Sequence, residues 1–261
     1  RVLFRSQGSI ERVETDPRET ELYLGGLGTN AKILWDRVPP EVEPFSPDNL
    51  LIFSAGLLCG TPATGCNRTI VSTISPQTQL MAFSMMGGFW APELKYAGYD
   101  KVILRGKSPD LVYLWINNDK VEIRDASHLK GKDSVETEEL IRQELEEPKA
   151  QVASIGLAGE NRVYFASIEQ GRSSASRGGI GAVMGDKGVK AIAVRGTKDI
   201  HVARPQELFE ICNPMYQAIY DNPYCGDVFL HEDDEEWHVN NFAWGNARER
   251  KKGWWNKERE E

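Results

Sequence analysis

Short apolar runs split by glycine and proline dominate residues 50–195, and they predict β-strands. The runs are rich in β-branched and aromatic side chains, which favour a pleated, half-buried strand. Residues 117–120, Asn-Asn-Asp-Lys, separate two of the runs and are typical of a hairpin turn. Because the strands are short and closely punctuated, we expect mainly antiparallel sheets. The predicted strands are residues 50–53, 101–104, 111–116, 121–124, 163–165 and 191–194.

The clearest helical pattern begins at Asp133, which can cap a helix together with Glu136 three residues later. Apolar residues then recur on one face, and Pro148 is expected to end the helix. Sheets with a few flanking helices make an α+β protein. Shorter helices are predicted at residues 29–35, 93–97 and 206–212, and Pro214 should interrupt the last.

The chain repeats one ordered pattern, in copies at about residues 50–107 and 150–197. Each copy contains Ser-x-Gly-Leu, Asn-Arg, a Gly-Gly pair and a final Arg-Gly, and Asn-Arg precedes an isoleucine at the same distance in both (67–74 and 161–168). Internal similarity of this kind predicts two similar β-halves related by a pseudo-two-fold axis. The two Asn-Arg pairs should superpose, and the helix at Asp133 should cross over between the halves.

Composition narrows the class of protein. The chain is 40% hydrophobic, enough for a sizeable core, and its net charge of −8 argues against nucleic acid as the main partner. It contains no apolar run of 18 residues that would predict a membrane span. The four cysteines are widely spaced, which favours reduced thiols in a cytoplasmic protein over a disulfide scaffold or a metal motif.

The composition changes after residue 204. We therefore expect a first domain at residues 1–204 and the start of a following helical domain at 205–261. The second segment holds an acidic run, a tryptophan cluster and a basic run without an evident core of its own. This predicts that the chain is an N-terminal fragment of a longer protein.

Two glycine-rich stretches are candidate binding loops. Residues 25–31 contain G-x-G-x-x-A, but no strand–helix alternation follows, so a glycine turn into a short helix is favoured over dinucleotide binding. A turn whose amides face a phosphate is a third interpretation. Residues 171–185 combine Arg172 and Arg177 with small hydroxylated residues and glycines, which predicts either an anion site or a flexible surface loop. No catalytic acid, base or nucleophile stands out.

Several stretches resemble the N-terminal domain of the tungsten-containing aldehyde ferredoxin oxidoreductase family. The resemblance covers roughly residues 20–200, and the motifs occur in the same order as in the family. The residues resemble still more closely the branch that includes the active-site subunit of class II benzoyl-CoA reductase. The stretches that carry it are residues 24–40, 60–63, 66–73, 87–88, 92–100, 177–185 and 241–248.

The resemblance implies a base domain of two β-halves under a tungsten bis-pterin cofactor (tungstopterin). The chain departs from the family pattern at Met85 and at Ser173-Ser174, so the backbone contact at Gly87 and the Arg177 contact carry over best. The implied cofactor-binding residues are Arg68, Met85, Gly87, Ser173, Ser174, Ser176 and Arg177.

The resemblance also implies a four-iron four-sulfur cluster (4Fe-4S) in the full-length protein, with ligands and catalytic residues beyond this fragment. Expected partners are ferredoxin or an iron–sulfur electron-transfer subunit, a small-molecule substrate and further subunits in an oligomer. The expected reaction is reduction of an aromatic acyl-CoA with low-potential electrons. The alternatives are oxidation of aldehydes to carboxylic acids, and a non-catalytic two-half β binding module.

Overall fold

The computed structural model describes residues 2–5, 9–171 and 173–221, with the backbone alone at 2–5 and 220–221. By its contacts the chain forms two units. The first contains residues 65–201 and the described residues up to 61, and the second contains residues 62–64 together with those from 202 onward. Among its described residues, the second unit contains the helix α7 (Pro205–Asp221).

The first half of the first unit is a six-stranded sheet with three helices. Its strand order is β2-β1-β6-β3-β4-β5, and every pair is antiparallel except β1 with β6. The elements are β1 (Val2–Arg5), β2 (Ser9–Arg12), α1 (Pro17–Tyr23), α2 (Gly26–Arg37), β3 (Leu51–Ala55), β4 (Thr69–Ile74), β5 (Met81–Met86), α3 (Trp90–Tyr96) and β6 (Lys101–Leu104).

The second half is also a six-stranded sheet. Its order is β8-β7-β12-β9-β10-β11, and β7 with β12 is its one parallel pair among the described strands. The elements are β7 (Val112–Asn117), β8 (Lys120–Asp125), a 3₁₀ turn (Ser127–Leu129), α4 (Ser134–Glu144), β9 (Gln151–Ser154), α5 (Leu157–Glu160), β10 (Ile168–Gln170), β11 (Ser173–Ala175), α6 (Ile180–Asp186) and β12 (Val189–Arg195).

The two sheets have the same topology, which confirms the prediction of two similar β-halves. In each, a hairpin is followed by helical residues, three antiparallel strands, a helix and a last strand that pairs with both the hairpin and the first of the three. The register also agrees, since Leu51 faces Leu104 and Gln151 faces Val194. The repeat is longer than predicted, because the hairpin β1–β2 corresponds to β7–β8. A pseudo-two-fold axis stays a prediction.

The predicted superposition of the two Asn-Arg pairs is wrong. Ile70 lies opposite Ser54 in the first sheet, whereas Glu169 lies opposite Ser154 in the second. Arg68 therefore immediately precedes its strand, while Arg162 lies in a turn before Ile168. Equal spacing in the sequence hides different structure, because the second copy inserts the short helix α5 and that turn before β10.

The main core lies between the sheets. It contains buried residues of both sheets together with α3 and α6, and each of these helices contacts strands of both sheets. Trp90 of α3 is fully buried, and its indole N–H donates to the Ile192 carbonyl of the other half at 2.9 Å. Ile33 of α2 packs on the outer face of the first sheet and Ile141 of α4 on that of the second. The halves thus share one core.

Three local predictions need correction. The helix α4 has the predicted capping box, but it connects β8 to β9 within one sheet and is not the crossover between halves. Residues 163–165 form no strand, because they lie in a turn where Phe165 is 72% exposed and has no strand partner. Helix α7 runs through Pro214, which removes one backbone donor without ending the helix.

Candidate cofactor site

The predicted site residues gather where the edges of the two sheets meet. Strand β5 ends the first sheet and β11 ends the second, and these two strands contact each other. The backbone N–H of Ser176 donates to Ser84 Oγ across this junction at 3.0 Å. Residues from both copies of the repeat therefore contribute to one region of the surface.

The register makes the site residues of the two copies equivalent. Met85 lies opposite Ile70, and Ser174 lies opposite Glu169. Ile70 and Glu169 are themselves equivalent, because they pair with Ser54 of β3 and Ser154 of β9. Met85 and Ser174 thus occupy the same place in their own sheets. Two residues further along, just beyond the end of each strand, lie Gly87, which is buried, and Ser176, which is exposed. Each half thus contributes the end of an equivalent strand.

Gly87 is surrounded by two of the predicted site residues. A Cβ atom at this position would lie 3.1 Å from Ser173 Oγ and 3.6 Å from Arg68 Nη1. The structure thus brings Gly87, Ser173 and Arg68 together, although they come from different segments and different copies. Gly87 itself is buried, and its lack of a side chain leaves room for a hydroxyl and a guanidinium to converge on this position.

Arg68 and Arg177 are both exposed, and their guanidinium groups form no hydrogen bond or ion pair with the described part of the chain. Other arginines are engaged: Arg195 pairs with Glu93 at 3.0 Å, and Arg162 lies 3.4 Å from Asp186. A planar guanidinium without a carboxylate partner can bind a phosphate with two parallel N–H bonds. These two side chains therefore suit an anionic ligand.

The glycines after Arg177 serve mainly the fold. Gly179 adopts a φ of +68° before α6, and a Cβ there would lie 2.5 Å from the Tyr164 carbonyl oxygen. A Cβ at Gly181 would lie 2.5 Å from the Ser167 carbonyl oxygen, and a Cβ at Gly185 would lie 1.9 Å from the Gly159 carbonyl oxygen. Close approach of the backbone to a ligand does not account for these glycines, because the chain itself fills the space.

An apolar strip borders the site. Met81, Phe83 and Met85 alternate along β5 and are 38%, 46% and 50% exposed, and Phe89 beyond the strand is 65% exposed. Because alternate residues of a strand point to one side, the three strand residues share one face. Met85 offers this face a flexible apolar side chain rather than a hydrogen bond.

The sequence did not reveal Gln170. This β10 residue is only 6% exposed and donates from Nε2 to Gln151 Oε1 at 3.0 Å, while its own Oε1 is buried without a partner in the described part of the chain. A Cβ at Gly88 would lie 1.8 Å from that oxygen, so Gln170 backs the Gly87-Gly88 turn. Glutamine in a short strand belongs to no motif, and no sequence signal would have found it.

The site suits an anionic ligand that can also accept hydrogen bonds, such as one that carries phosphates. It offers two guanidinium groups that have no partner in the described part of the chain, the hydroxyls of Ser173 and Ser174, and a cradle around the buried Gly87 that a side chain would fill. Within the described ranges, no group of three or more His, Cys, Asp or Glu residues is placed to hold a metal ion. Across the same residues, the helices are all too short or too polar to span a membrane.

Comparison with known proteins identifies relatives. The family description "Aldehyde ferredoxin oxidoreductase, N-terminal domain" matches residues 5–196. The chain is 42% identical over 222 residues to the tungsten-containing aldehyde ferredoxin oxidoreductase of Pyrococcus furiosus, and 41% identical to that of Pyrococcus horikoshii. Each match covers 85% of the chain and 37% of the relative, so the chain spans little more than a third of their length.

The chain also resembles a subunit of a second kind of oxidoreductase and a chain of known structure. The chain is 36% identical over 204 residues to the WOR-like subunit of an aliphatic sulfonate oxidoreductase from Pyrococcus furiosus, covering 72% of the chain and 32% of that subunit. A solved structure, the active site complex BamBC of benzoyl coenzyme A reductase with 1,5-dienoyl-CoA, superposes with a TM-score of 0.84 and 70% identity over 98% of the chain and 42% of the solved chain. The predicted family is confirmed, and the chain belongs to the aldehyde ferredoxin oxidoreductase family, whose N-terminal domain it contains.

Proposed function

We propose that the chain is the cofactor-base domain of a tungsten bis-pterin oxidoreductase that reduces an aromatic acyl-CoA of the benzoyl-CoA type. The observation that carries this proposal is the contrast in identity. The chain is 70% identical to a chain of the benzoyl-CoA reductase active-site complex, against 41–42% to the aldehyde ferredoxin oxidoreductases. The activity requires the parts of the enzyme that this chain does not span.

The chain's own residues would bind and orient the cofactor. Arg68 and Arg177 would neutralise its phosphates, and the backbone at Gly87 would accept or donate hydrogen bonds at its ring edge. Ser173, Ser174 and Ser176 would supply hydroxyls, and Met85 would make an apolar contact. Since Met85 and Ser174 are equivalent in the two sheets, each half would hold one of two similar pterin units.

The chemistry would come from the bound group and from the rest of the protein. When bound, tungstopterin supplies a low-potential metal centre for electron transfer to the substrate. The residues described here would fix its position and help exclude water from the face that Phe83 and Phe89 border. Electrons would arrive from ferredoxin or an iron–sulfur subunit through a 4Fe-4S cluster, whose ligands we place in the remainder of the full-length protein.

Oxidation of aldehydes to carboxylic acids is the second candidate. It is supported by the names of the Pyrococcus relatives, which match over 85% of the chain. Both candidates share the cofactor and the fold, so the site residues of this chain cannot separate them. A binding module without catalysis would need neither tungsten nor molybdenum, and metal analysis of the full-length protein distinguishes it from both enzymes.

An anaerobic assay of the full-length protein tests the substrate. We expect turnover of a cyclic dienoyl-CoA with an oxidising dye, the reverse of ring reduction, and tungsten in the purified protein. A set of simple aldehydes with the same dye is the parallel arm. Turnover of aldehydes alone would refute the acyl-CoA proposal and leave the second candidate, and absence of any bound metal after tungstate-supplemented growth would refute both.

A further inference from the structure

Two cysteine side chains converge on a single oxygen just before Arg68. Cys59 Sγ lies 3.8 Å and Cys66 Sγ lies 3.6 Å from Asn67 Oδ1, so the two sulfurs are at most about 7.4 Å apart. The same oxygen also accepts from the Gly60 backbone N–H at 3.1 Å. Neither cysteine forms a disulfide in the structure. The pair is thus a reduced dithiol gathered around one amide group.

The two thiols differ in access. Cys59 is fully buried, and burial raises the pKa of its thiol to about 12, which keeps it protonated and unreactive on its own. Cys66 is half-buried, and its thiol donates to the Leu58 carbonyl at 3.0 Å. An external reagent would therefore meet Cys66 first, and Cys59 would be the partner that reacts second.

The backbone near Cys66 can supply the movement that a disulfide needs. The sulfurs must close to about 2 Å. Gly65, directly before Cys66, has a φ of +69°, and no atom lies within 4 Å of its Cβ position, so open space surrounds the hinge next to the reacting residue. Cys59 is held by its N–H bond to the Gly56 carbonyl at 3.2 Å. Cys66 would move toward a fixed Cys59.

We propose that Cys59 and Cys66 form a reversible disulfide that acts as a modification site controlling Arg68. The oxidant is a low-molecular-weight disulfide such as oxidised glutathione. The Cys66 thiolate attacks one of its sulfurs and releases one glutathione thiolate, and the Cys59 sulfur, losing its proton, then displaces the second. The protein loses two electrons and two protons, and the reagent becomes two thiols.

The link to Arg68 runs through its neighbours. The Arg68 backbone N–H donates to the Cys66 carbonyl at 3.0 Å, so a displaced Cys66 shifts the start of β4. Asn67 Oδ1 would lose the Cys59 thiol as a donor and its contact with the Cys66 sulfur, and would keep the Gly60 N–H. Arg68 Nη1 would then leave its place beside Gly87. This consequence, unlike the disulfide itself, rests on the proposed cofactor function.

The disulfide can be tested by mass. Trypsin releases both cysteines in one peptide, residues 38–68, because no lysine or arginine lies between Arg37 and Arg68. The full-length protein is incubated anaerobically with oxidised glutathione, alkylated and digested. We expect this peptide to be lighter by two hydrogen atoms, with no glutathione attached and no alkyl group on either cysteine, and to regain both thiols with dithiothreitol.

A matched variant makes the result decisive. In Cys59→Ala, Cys66 should retain a glutathione adduct, since no second thiol displaces it. If the wild-type peptide instead carries a lasting adduct on Cys66, or keeps two alkylatable thiols under conditions that modify the variant, the proposal is overturned. Tungsten release into a chelator gives the second readout, and we expect it to be on the order of threefold faster in the oxidised wild type than in the reduced protein.

The two proposals fail separately. A protein that contains no tungsten would refute the cofactor function while leaving the peptide mass to decide the disulfide. A disulfide that forms without faster release of tungsten would overturn the control of Arg68. The oxidised Cys59→Ala protein serves as the control for nonspecific damage by the reagent.

Discussion

Replacement of Gly87 with alanine tests the cradle at the sheet junction. The φ of Gly87 lies outside the left-handed region, so alanine is compatible with the backbone and should gain about 0.4–1 kcal/mol from the unfolded chain. The new methyl group would stand 3.1 Å from Ser173 Oγ, a tight contact that offsets this gain. We expect the free energy of unfolding to change by less than about 1 kcal/mol.

Cofactor binding should respond more strongly than stability. The methyl group would occupy the space 3.6 Å from Arg68 Nη1 that the cofactor is proposed to approach. Losing one hydrogen bond of about 0.5–1.5 kcal/mol corresponds to a decrease in affinity of about twofold to twelvefold. The assay measures tungsten and pterin per protein in the full-length enzyme, and their rate of release into a chelator, beside denaturant unfolding of the same preparation.

Gly156→Ala is the matched control. Its φ is −92°, and its Cβ would meet nothing closer than 3.9 Å, so it carries the same gain from the unfolded chain without touching the site. Full cofactor content and unchanged release in Gly87→Ala, with the control behaving alike, would refute the cradle. A loss of stability of several kcal/mol would equally show that Gly87 serves the fold.

Three further outcomes follow from the same geometry. Arg177→Ala should reduce tungsten content, because a charge-assisted bond is worth about 1.5–3 kcal/mol, whereas Arg162→Ala should leave it unchanged, and equal effects would contradict the anion assignment. Gly88→Ala should lower the free energy of unfolding by about 1–3 kcal/mol, because φ at this position is +87° and the new Cβ would overlap Gln170 Oε1. An unchanged free energy in denaturant unfolding would contradict this packing. Burial lowers the pKa of Lys187 from 10.5 to about 8, so between these pH values the unfolded chain binds a proton that the folded chain does not. The free energy of unfolding, measured relative to Lys187→Met, should therefore rise across that window by about 1.4 kcal/mol per pH unit. A difference between the two proteins that does not change with pH would exclude the shift.

Much of the architecture could be predicted from the sequence. Local sequence signals predicted several of the strands and the capping box at Asp133, and the repeated motifs predicted two similar halves. The structure reproduces these features. The strands β4, β5, β9, β10 and β11 were not predicted. In the first copy, Thr69–Ile74 and Met81–Met86 follow glycine-rich and polar segments that obscure their periodicity. The hairpin β1–β2 was missed as well, since its relation to β7–β8 is visible only in the pairing.

The candidate site was less predictable than the fold. Resemblance supplied Arg68, Gly87 and Arg177 as residues, but only the register brings Gly87 next to Ser173 of the other copy. Sequence spacing even suggested the wrong counterpart for Arg68, because strand pairing and not residue counting defines equivalence between copies. Gln170 could not be predicted as part of the site, because its contact with the Gly87-Gly88 turn depends on the three-dimensional packing behind Gly88.

The junction of β5 with β11 has a consequence for how this fold can change. In an assembly of two identical chains, a mutation at a symmetric position alters both copies at once. Here the corresponding positions Met85 and Ser174 are encoded separately, so one copy carries an apolar side chain while the other carries a hydroxyl. A single chain thereby allows asymmetry around the proposed ligand with two like halves, and each half can be selected for a different contact without loss of the other.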